Sequence, residues 1–365
     1  MGVRATVRRL LDWFPAVLAR LGLVERVKAT EAFDLAVPVM VTGGLRVLLR
    51  MADFLFVGIA LGDAAIAGLE LGFQYYFIGF GLSLALTSGT ISVVSRLQGA
   101  GERARANLAV KQSLWLSLAV SLPLGGQQFD GGLLREIVRV ATPLTGMRLL
   151  QSTARFPFLF ILGVLGTPAV AAYAIGRRVM LLALMPAWGY STAASTLVGQ
   201  SLGAGDEDGA NEYGWQTLRL GLATQLLAAG VLVLAARPIA TAFGTEHVAL
   251  TVDFIRVFGL ATAGFSASRT MRGSLRGAGD TRWPLYGTFL GSYVVRLPLA
   301  ALTLPTAFTV SVAGLSLAPG MGLGYPAIFL AIIGDFYTKA AVNTGRFWTG
   351  RWKAVARRAG VGASD

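Results

Sequence analysis

The four-residue sequence Gly99-Ala-Gly-Glu102 recurs as Gly203-Ala-Gly-Asp206 and as Gly277-Ala-Gly-Asp280, and each copy follows a long apolar run. An ungapped shift that places Gly99 on Gly203 aligns residues 61–114 with residues 165–218. Chance similarity between segments rich in Gly, Ala and Leu is the alternative, but an ungapped match of this length is typical of an internal repeat. The chain is therefore predicted to contain two homologous halves built from apolar helices, with Leu61–Leu114 superposing on Leu165–Leu218. Identical pairs include Leu61/Leu165, Gly62/Gly166, Gly72/Gly176, Val94/Val198, Asn107/Asn211 and Gln112/Gln216.

The composition is that of a membrane protein. Apolar residues make up 54% of the chain and charged residues only 14%, whereas about 25% is usual for charge in soluble domains. Charge-poor runs long enough to cross a bilayer as helices recur along the chain. We predict an all-α integral membrane protein with about nine spans, and the stretch Leu304–Gly324 as a loop or a broken half-helix. The predicted spans lie near residues 35–61, 69–97, 107–124, 137–164, 169–201, 214–235, 250–275, 283–304 and 323–343.

Several kinds of chemistry are excluded by the residue types present. The chain has no cysteine and one histidine, His247, so a disulfide framework, a thiol-based metal site and a histidine cluster are ruled out. No nucleophile–base or metal constellation is found, and we do not expect an enzyme. The repeated glycine turns follow helices and lack the spacing of a phosphate-binding loop. A glycine that ends one helix and an acid that begins the next explain them.

Basic residues determine the expected orientation. The net charge is +13, which could indicate nucleic acid, but the lysines and arginines cluster in short segments between apolar runs. Such segments stay on the cytoplasmic side. We expect a multi-pass plasma-membrane protein with a cytoplasmic N-terminus, which contacts the lipid bilayer, binds no nucleic acid and acts as a monomer. The basic clusters fall within residues 4–28, 96–111, 272–282 and 346–358.

Five segments are predicted from charge, apolarity and the repeat. The arginines of the first segment alternate with apolar residues, which favours an amphipathic helix on the inner leaflet over a flexible basic tail. The segments are a basic amphipathic segment (1–33), a first lobe of three helices (34–124), a Gly-rich junction (125–134), a second lobe of six helices (135–345) and a basic cytoplasmic tail (346–365).

Four motifs together give the chain a resemblance to the multidrug and toxic compound extrusion (MATE) family, which extends over nearly all of the chain after residue 30. That resemblance implies twelve helices in two six-helix lobes around a V-shaped cavity, and export of drugs or metabolites driven by entry of sodium ions or protons. The motifs are Pro38 with Ala52-Asp53-Phe54 and Val57-Gly58, RLQGAG at 96–101 followed by Ala106-Asn107, LRGAGDTRWP at Leu275–Pro284, and RFWTGRW at Arg346–Trp352.

The first lobe departs from the family pattern. Only a short Gly-rich stretch separates its third helix from the second repeat, so three helices are missing, on the order of a hundred residues. A cytoplasmic N-terminus would place the end of the third helix outside, whereas Arg135 and Arg139 should lie inside by homology and charge. Three explanations stay open. The run Leu114–Leu124 does not span, the second lobe inserts inverted, or the junction passes through the membrane, where unpaired backbone groups are costly.

Asp53 is the predicted coupling residue. A carboxylate deep in an apolar helix is costly unless it is paired, protonated or bound to an ion. The resemblance implies that Asp53 belongs to the sodium or proton site of the first lobe, and that Pro38 lets this helix bend. A salt bridge to Arg50 or Arg46, on the same helix face, is the alternative interpretation.

Further basic and polar residues are predicted to line the substrate cavity. Arg148, Gln151 and Arg155 share one face of the first helix of the second lobe, and Tyr190 lies in the next predicted span. Arg46 and Arg50 are assigned to the same cavity. Arginines within spans usually face a bundle interior or a wet cavity, although long side chains near helix ends also reach the headgroups. A basic cavity leaves the charge of the substrate open.

The favoured function is cation-coupled antiport of drugs or toxic organic compounds, with no cofactor beyond the sodium ion or proton. One alternative is an internally truncated membrane protein that inserts but does not transport. Another is a lipid-linked flippase of the same superfamily, which the basic helices suggest. Because half of the first lobe is missing, the 365-residue chain is itself expected to transport little or nothing.

Overall fold

The computed structural model describes residues 13–61, 87–119, 131–312 and 315–361. A π-helical segment, Leu290–Arg296, joins α11 to α12, and strands β1 (Val310–Val312) and β2 (Leu315–Leu317) pair as an antiparallel hairpin. The helices are α1 (13–20), α2 (Arg26–Leu61), α3 (87–99), α4 (Arg103–Ala119), α5 (Gly131–Val164), α6 (Thr167–Ala183), α7 (Met185–Gly203), α8 (Glu207–Leu234), α9 (Ala236–Ala242), α10 (Val248–Gly277), α11 (Arg282–Phe289), α12 (Leu297–Ala301), α13 (Tyr325–Trp348) and α14 (Trp352–Val361).

The prediction of a helical membrane bundle is confirmed. Every predicted span overlaps a described helix, although residues 62–86 and 120–130, which hold parts of the second and third spans, lie outside the described residues. By length and apolarity alone, four of the described helical stretches can cross a membrane, and a bent helix pair makes a fifth. The four are Arg26–Leu49 within α2, α8, α10 and α13.

The predicted single span at 169–201 is bent. Helices α6 and α7 meet at an angle of 46° near Leu184. Pro186 lies in the first turn of α7, where it has no N–H to continue the hydrogen bonds of the preceding helix. The span is therefore two helices, and α7 packs at its own angle against α2, α8 and α10.

The stretch Leu304–Gly324 contains a β-hairpin, which the sequence did not predict. The chain that follows the hairpin is attached to the residues after α12 by two backbone hydrogen bonds. Met321 N donates to the Leu302 carbonyl (3.1 Å) and Gly322 N to the Leu304 carbonyl (2.9 Å). This stretch is a loop, as one of the two predictions had it, and it closes the end of α12.

The N-terminal segment differs from the predicted surface helix over residues 26–33, because these form the first turns of α2. Ala29, Ala32 and Phe33 are buried there in a cluster that also contains Tyr190 and Leu220. Helix α1 keeps the amphipathic character, with Leu18 buried and Trp13 58% exposed.

All three glycine turns have one conformation. The middle glycine of each turn, Gly101, Gly205 or Gly279, has φ between 77° and 81°, a region open to glycine at little cost. In each turn the acidic residue donates its N–H to the carbonyl five residues earlier, at 2.8–2.9 Å. This is the Schellman ending of a helix. The predicted role of the glycine is confirmed in all three turns. The predicted role of the acid is confirmed at Asp206, which caps α8 by accepting from Gly209 N at 2.7 Å, whereas Thr281 and not Asp280 precedes α11.

Helices α3 and α7, one from each repeat, touch through backbone. A methyl group at Gly99 would overlap the carbonyl oxygen of Gln200, and one at Gly203 would overlap that of Arg96. Gly99 corresponds to Gly203 in the repeat, and Arg96 corresponds to Gln200. Exchanging α3 for α7 therefore leaves the contact unchanged, as it would across a two-fold axis. The described part of the repeats thus agrees with the predicted equivalence, while residues 62–86 lie outside it.

One end of the bundle gathers most of the ion pairs. Arg96 pairs with Glu136 at the start of α5, and Arg346 at the end of α13 binds Asp280 at 2.7 Å. Burial raises the pKa of Asp280, and the hydrogen bond from Arg346 opposes that rise. Helix α5 thus begins where α3 ends, as the charges of Arg135 and Arg139 predict. We call this the charged end.

Helix α10 lies at the centre of the second repeat and packs against α6, α7, α8 and α13. Small residues allow these close approaches, since a side chain at Gly273 would collide with the Ser191 carbonyl of α7 and one at Gly264 with the Tyr337 ring of α13. The inner face of α10 is therefore fixed against its neighbours, and its polar side chains have defined surroundings.

Candidate substrate site

Three arginines lie on the central helix of the bundle. Arg269, Arg272 and Arg276 follow the i, i+3, i+7 spacing of one helix face. Arg269 and Arg272 are 9% and 8% exposed. Arginine is expensive in a membrane interior unless it faces a wet cavity or a partner, so the surroundings of each guanidinium decide its role.

Arg276 holds helices together. Its Nε donates to Ser195 Oγ of α7 at 3.2 Å, its Nη1 to Ser88 Oγ of α3 at 3.2 Å and its Nη2 to the Ser191 carbonyl at 3.4 Å. Ser92 Oγ of α3 in turn donates to the Arg276 carbonyl at 2.6 Å. Arg276 therefore bridges the two repeats near the charged end.

Arg269 and Arg272 have much weaker partners. The Arg269 guanidinium stacks on the ring of Trp188, 3.7 Å from its centroid, and Arg272 Nη1 contacts the sulfur of Met147 at 3.1 Å. A thioether is a weak acceptor. Within the described residues neither guanidinium donates to an oxygen atom. Most of their donor capacity is therefore free for another group.

Arg148 of α5 completes the group. Its charge acts on Arg269, Arg272 and Arg276, and the electrostatic influences on these three side chains within the described chain come from other arginines. We call Arg148, Arg269, Arg272 and Arg276 the arginine cluster. Four like charges inside a bundle repel one another, and this repulsion is relieved when an anion binds among them.

A second charged group lies on α13. Asp335, 1% exposed, pairs with Lys339 Nζ at 2.6 Å and lies 3.7 Å from Arg296 Nη1. Lys339 lies four residues after Asp335, the spacing at which two side chains of one helix meet. Arg296 also stacks on Phe158, 4.0 Å from the ring centroid, and its Nε has no hydrogen-bond partner among the described residues.

The π-helical segment positions Arg296. Gly291 lets this segment approach α13 so closely that a methyl group there would lie 2.8 Å from the Asp335 carbonyl oxygen. Such π-helical insertions are frequent at functional sites. The charges of Arg296 and Arg272 both act on Lys339. The charged group on α13 is therefore close enough to the arginine cluster for their charges to interact.

The structure separates the predicted site residues. Tyr190 is fully buried between α2 and α8, and its hydroxyl is 2.8 Å from Thr224 Oγ1. Gln151 and Arg155 are half-buried on α5, whereas Pro38 and Arg46 are exposed on α2. Tyr190 thus belongs to the contact between the repeats.

Asp53 and Arg50 lie in the helical backbone of α2, but their side chains are outside the described residues. The choice between an ion-coupling role and a salt bridge therefore stays a prediction. Pro38 lies inside α2, which continues as a helix on both sides of it.

Sequence analysis does not identify the arginines of α10 as candidate site residues. Charge predicts Arg272 and Arg276 only as basic residues beside the third glycine turn, and it does not single out Arg269. The signal that identifies them is their spacing, since ASRTMRGSLRG places three arginines on one face of the C-terminal half of α10.

The sequence matches a known protein family. The model of the MatE family matches residues 38–126 and 143–302, which is more than half of the chain. The chain therefore belongs to the MatE family, a family of helical membrane proteins. The first matched segment is little more than half as long as the second, in agreement with the predicted shortening of the first lobe.

The curated relatives carry names from multidrug resistance. The probable multidrug resistance protein NorM of Thermotoga maritima is 28% identical over 227 residues, which cover 61% of this chain and 45% of the relative. The protein of the same name from Brucella suis is 27% identical over 204 residues, covering 54% and 43%. The chain thus spans less than half the length of these relatives.

Solved structures show the same fold. A MATE in complex with MaL6 has a TM-score of 0.77 at 15% identity and covers 90% of this chain and 97% of that chain. A MOP superfamily transporter from Pyrococcus furiosus, described as having a binding pocket of reverse polarity, also has a TM-score of 0.77, at 16% identity and with coverage of 90% and 96%. At these identities the likeness concerns the fold alone.

Proposed function

We propose that this protein is a secondary active transporter, which moves small molecules out of the cell in exchange for sodium ions or protons. The observation that carries the proposal is the charged interior of the second repeat of the MatE fold, which Arg276 links to α3 of the first. Arg269, Arg272 and Lys339 are buried and Arg148, Arg276 and Arg296 are half-buried, a cost in stability that binding or transport would explain.

The repeats provide the two bodies that alternating access needs. Their described contact at the charged end runs through Gly99 and Gly203, with Arg276 tied to Ser88 and Ser195. Rocking of one repeat against the other about a closed end would open the opposite end, which is the usual motion of repeat transporters.

Asp53 is the proposed coupling residue, with Pro38 as the bending point of α2. A carboxylate in an apolar helix changes its favoured surroundings when it takes up a proton or a sodium ion. The proposed orientation places the charged end and the N-terminus in the cytoplasm, because short basic loops are retained there.

The test is dye efflux from inside-out vesicles under an imposed sodium or proton gradient. The proposal requires gradient-dependent efflux that Asp53→Asn abolishes and that Asp253→Asn, which changes an exposed acid of α10, leaves unchanged. Efflux that persists in Asp53→Asn would overturn the coupling role.

A second candidate is an internally truncated protein that inserts without transporting. The short first match to the family, over residues 38–126, favours it, because ligands around Asp53 would be missing with the absent helices. No gradient-dependent efflux from correctly inserted wild-type protein is the result that this candidate requires.

A further inference from the structure

The arginine cluster has the composition of an anion site. Arg269 and Arg272 are more than nine-tenths buried, and their described partners are an aromatic ring and a thioether. Each guanidinium carries five N–H donors in a planar fork. Among the described residues these buried donors have no oxygen acceptor, and a bound oxyanion would supply one.

The rest of the cluster sets the charge of that ligand. Arg148 follows Met147, the α5 residue that contacts Arg272, and its charge acts on both arginines. Arg276 adds a fourth positive charge, although its own donors are occupied. Lys339 is partly neutralised by Asp335. A singly charged anion would leave most of this charge uncompensated.

We propose that Arg148, Arg269 and Arg272 bind a multiply charged oxyanion, a phosphate monoester or diphosphate group, as part of the transported substrate. Guanidinium forks match the paired oxygens of phosphate and form short, charge-assisted hydrogen bonds with them. The inference rests on the proposed transport function for its role. It assigns an anionic class of substrate, because the four positive charges of the cluster would repel a cationic one.

Binding is measured on purified full-length protein in detergent without any gradient, by calorimetric titration with inorganic pyrophosphate. We expect saturable binding that weakens as salt is added. Arg269→Gln and Arg148→Gln should each weaken it about tenfold or more, the loss of one charged hydrogen-bonding partner. Arg272→Lys, which keeps the charge but loses the fork, should give an intermediate loss.

Arg256→Gln is the matched control, because Arg256 lies on the exposed face of the same helix, and it should bind pyrophosphate like the wild type. A monodisperse elution profile confirms that each variant is folded. If Arg269→Gln does not fold, Arg148→Gln is the variant that tests the proposal. No saturable binding, or equal affinity in Arg148→Gln, Arg269→Gln and wild type, would overturn the proposal.

The source of the phosphate is decided in nanodiscs. A lipid headgroup as ligand predicts that phosphatidic acid in phosphatidylcholine nanodiscs weakens pyrophosphate binding to the wild type and to Arg256→Gln alike. A soluble phosphate ester predicts equal binding with and without phosphatidic acid. Because these measurements need no gradient, a failure of efflux leaves them standing, and efflux without pyrophosphate binding removes only the substrate assignment.

Discussion

At the scale of the residue, Asp335 shows how one carboxylate keeps two cations inside the bundle. Lys339 lies 2.6 Å from it and Arg296 3.7 Å. We expect Asp335→Asn to lower the free energy of unfolding by about 3 kcal/mol or more, because it leaves two buried positive charges without their counter-charge. Unfolding in detergent, followed by circular dichroism, measures the loss.

Two variants make this result specific. Asp335→Asn combined with Lys339→Met removes the pair together and should cost less than Asp335→Asn alone. Asp253→Asn changes an exposed carboxylate and should shift stability by less than about 0.5 kcal/mol. A double variant less stable than Asp335→Asn would contradict the assignment.

Local spacing predicted some of these residues and could not predict others. Asp335 and Lys339 are four residues apart on one helix, so their pairing follows from helix geometry alone. The sequence alone predicts Arg272 to be an ordinary exposed basic residue before a cytoplasmic turn. Its burial depends on α5 and α7 packing over that face of α10, which is a tertiary effect.

At the scale of the element, the crossing of α3 and α7 depends on two glycines. Gly203→Ala would push a methyl group into the Arg96 carbonyl and force the helices apart. We expect a loss of about 1–3 kcal/mol in the free energy of unfolding, typical of overpacking. Thermal unfolding in detergent measures this loss, and Gly99→Ala should behave like Gly203→Ala.

Gly230→Ala is the control for helix propensity. Gly230 lies inside α8 with no atom within 4 Å of an added methyl group, so alanine there should be neutral or stabilise by up to about 1 kcal/mol. If Gly230→Ala destabilised the protein as much as Gly203→Ala, the loss at Gly203 would not come from the helix crossing.

The helices themselves were largely predictable, because apolar length and glycine turns mark where each begins and ends. The bend at Leu184 and the hairpin β1–β2 were not. Pro186 signals a break, but the 46° angle is set by the packing of α7 against α2, α8 and α10. The hairpin has three residues in each strand, too few for an alternating pattern to be recognised.

At the scale of the whole molecule, the segment 123–132 is the predicted weak point. In the second repeat α6, α7, α8 and α13 pack around α10, whereas this segment is Gly-rich and joins that repeat to the first lobe, which is predicted to be shortened. Limited proteolysis in detergent with a protease of broad specificity should cut there first and release the second repeat intact. Primary cleavage within residues 170–300 would contradict this expectation.

The contact between Gly99 and Gly203 has a consequence for the history of the chain. A surface that pairs position by position with its own duplicate is the interface of a symmetric dimer of half-length subunits. Fusion of two copies of an ancestral gene would preserve that interface within one polypeptide. Loss of helices from one copy is then tolerated at this crossing, because the shared interface lies in the helices that both copies retain.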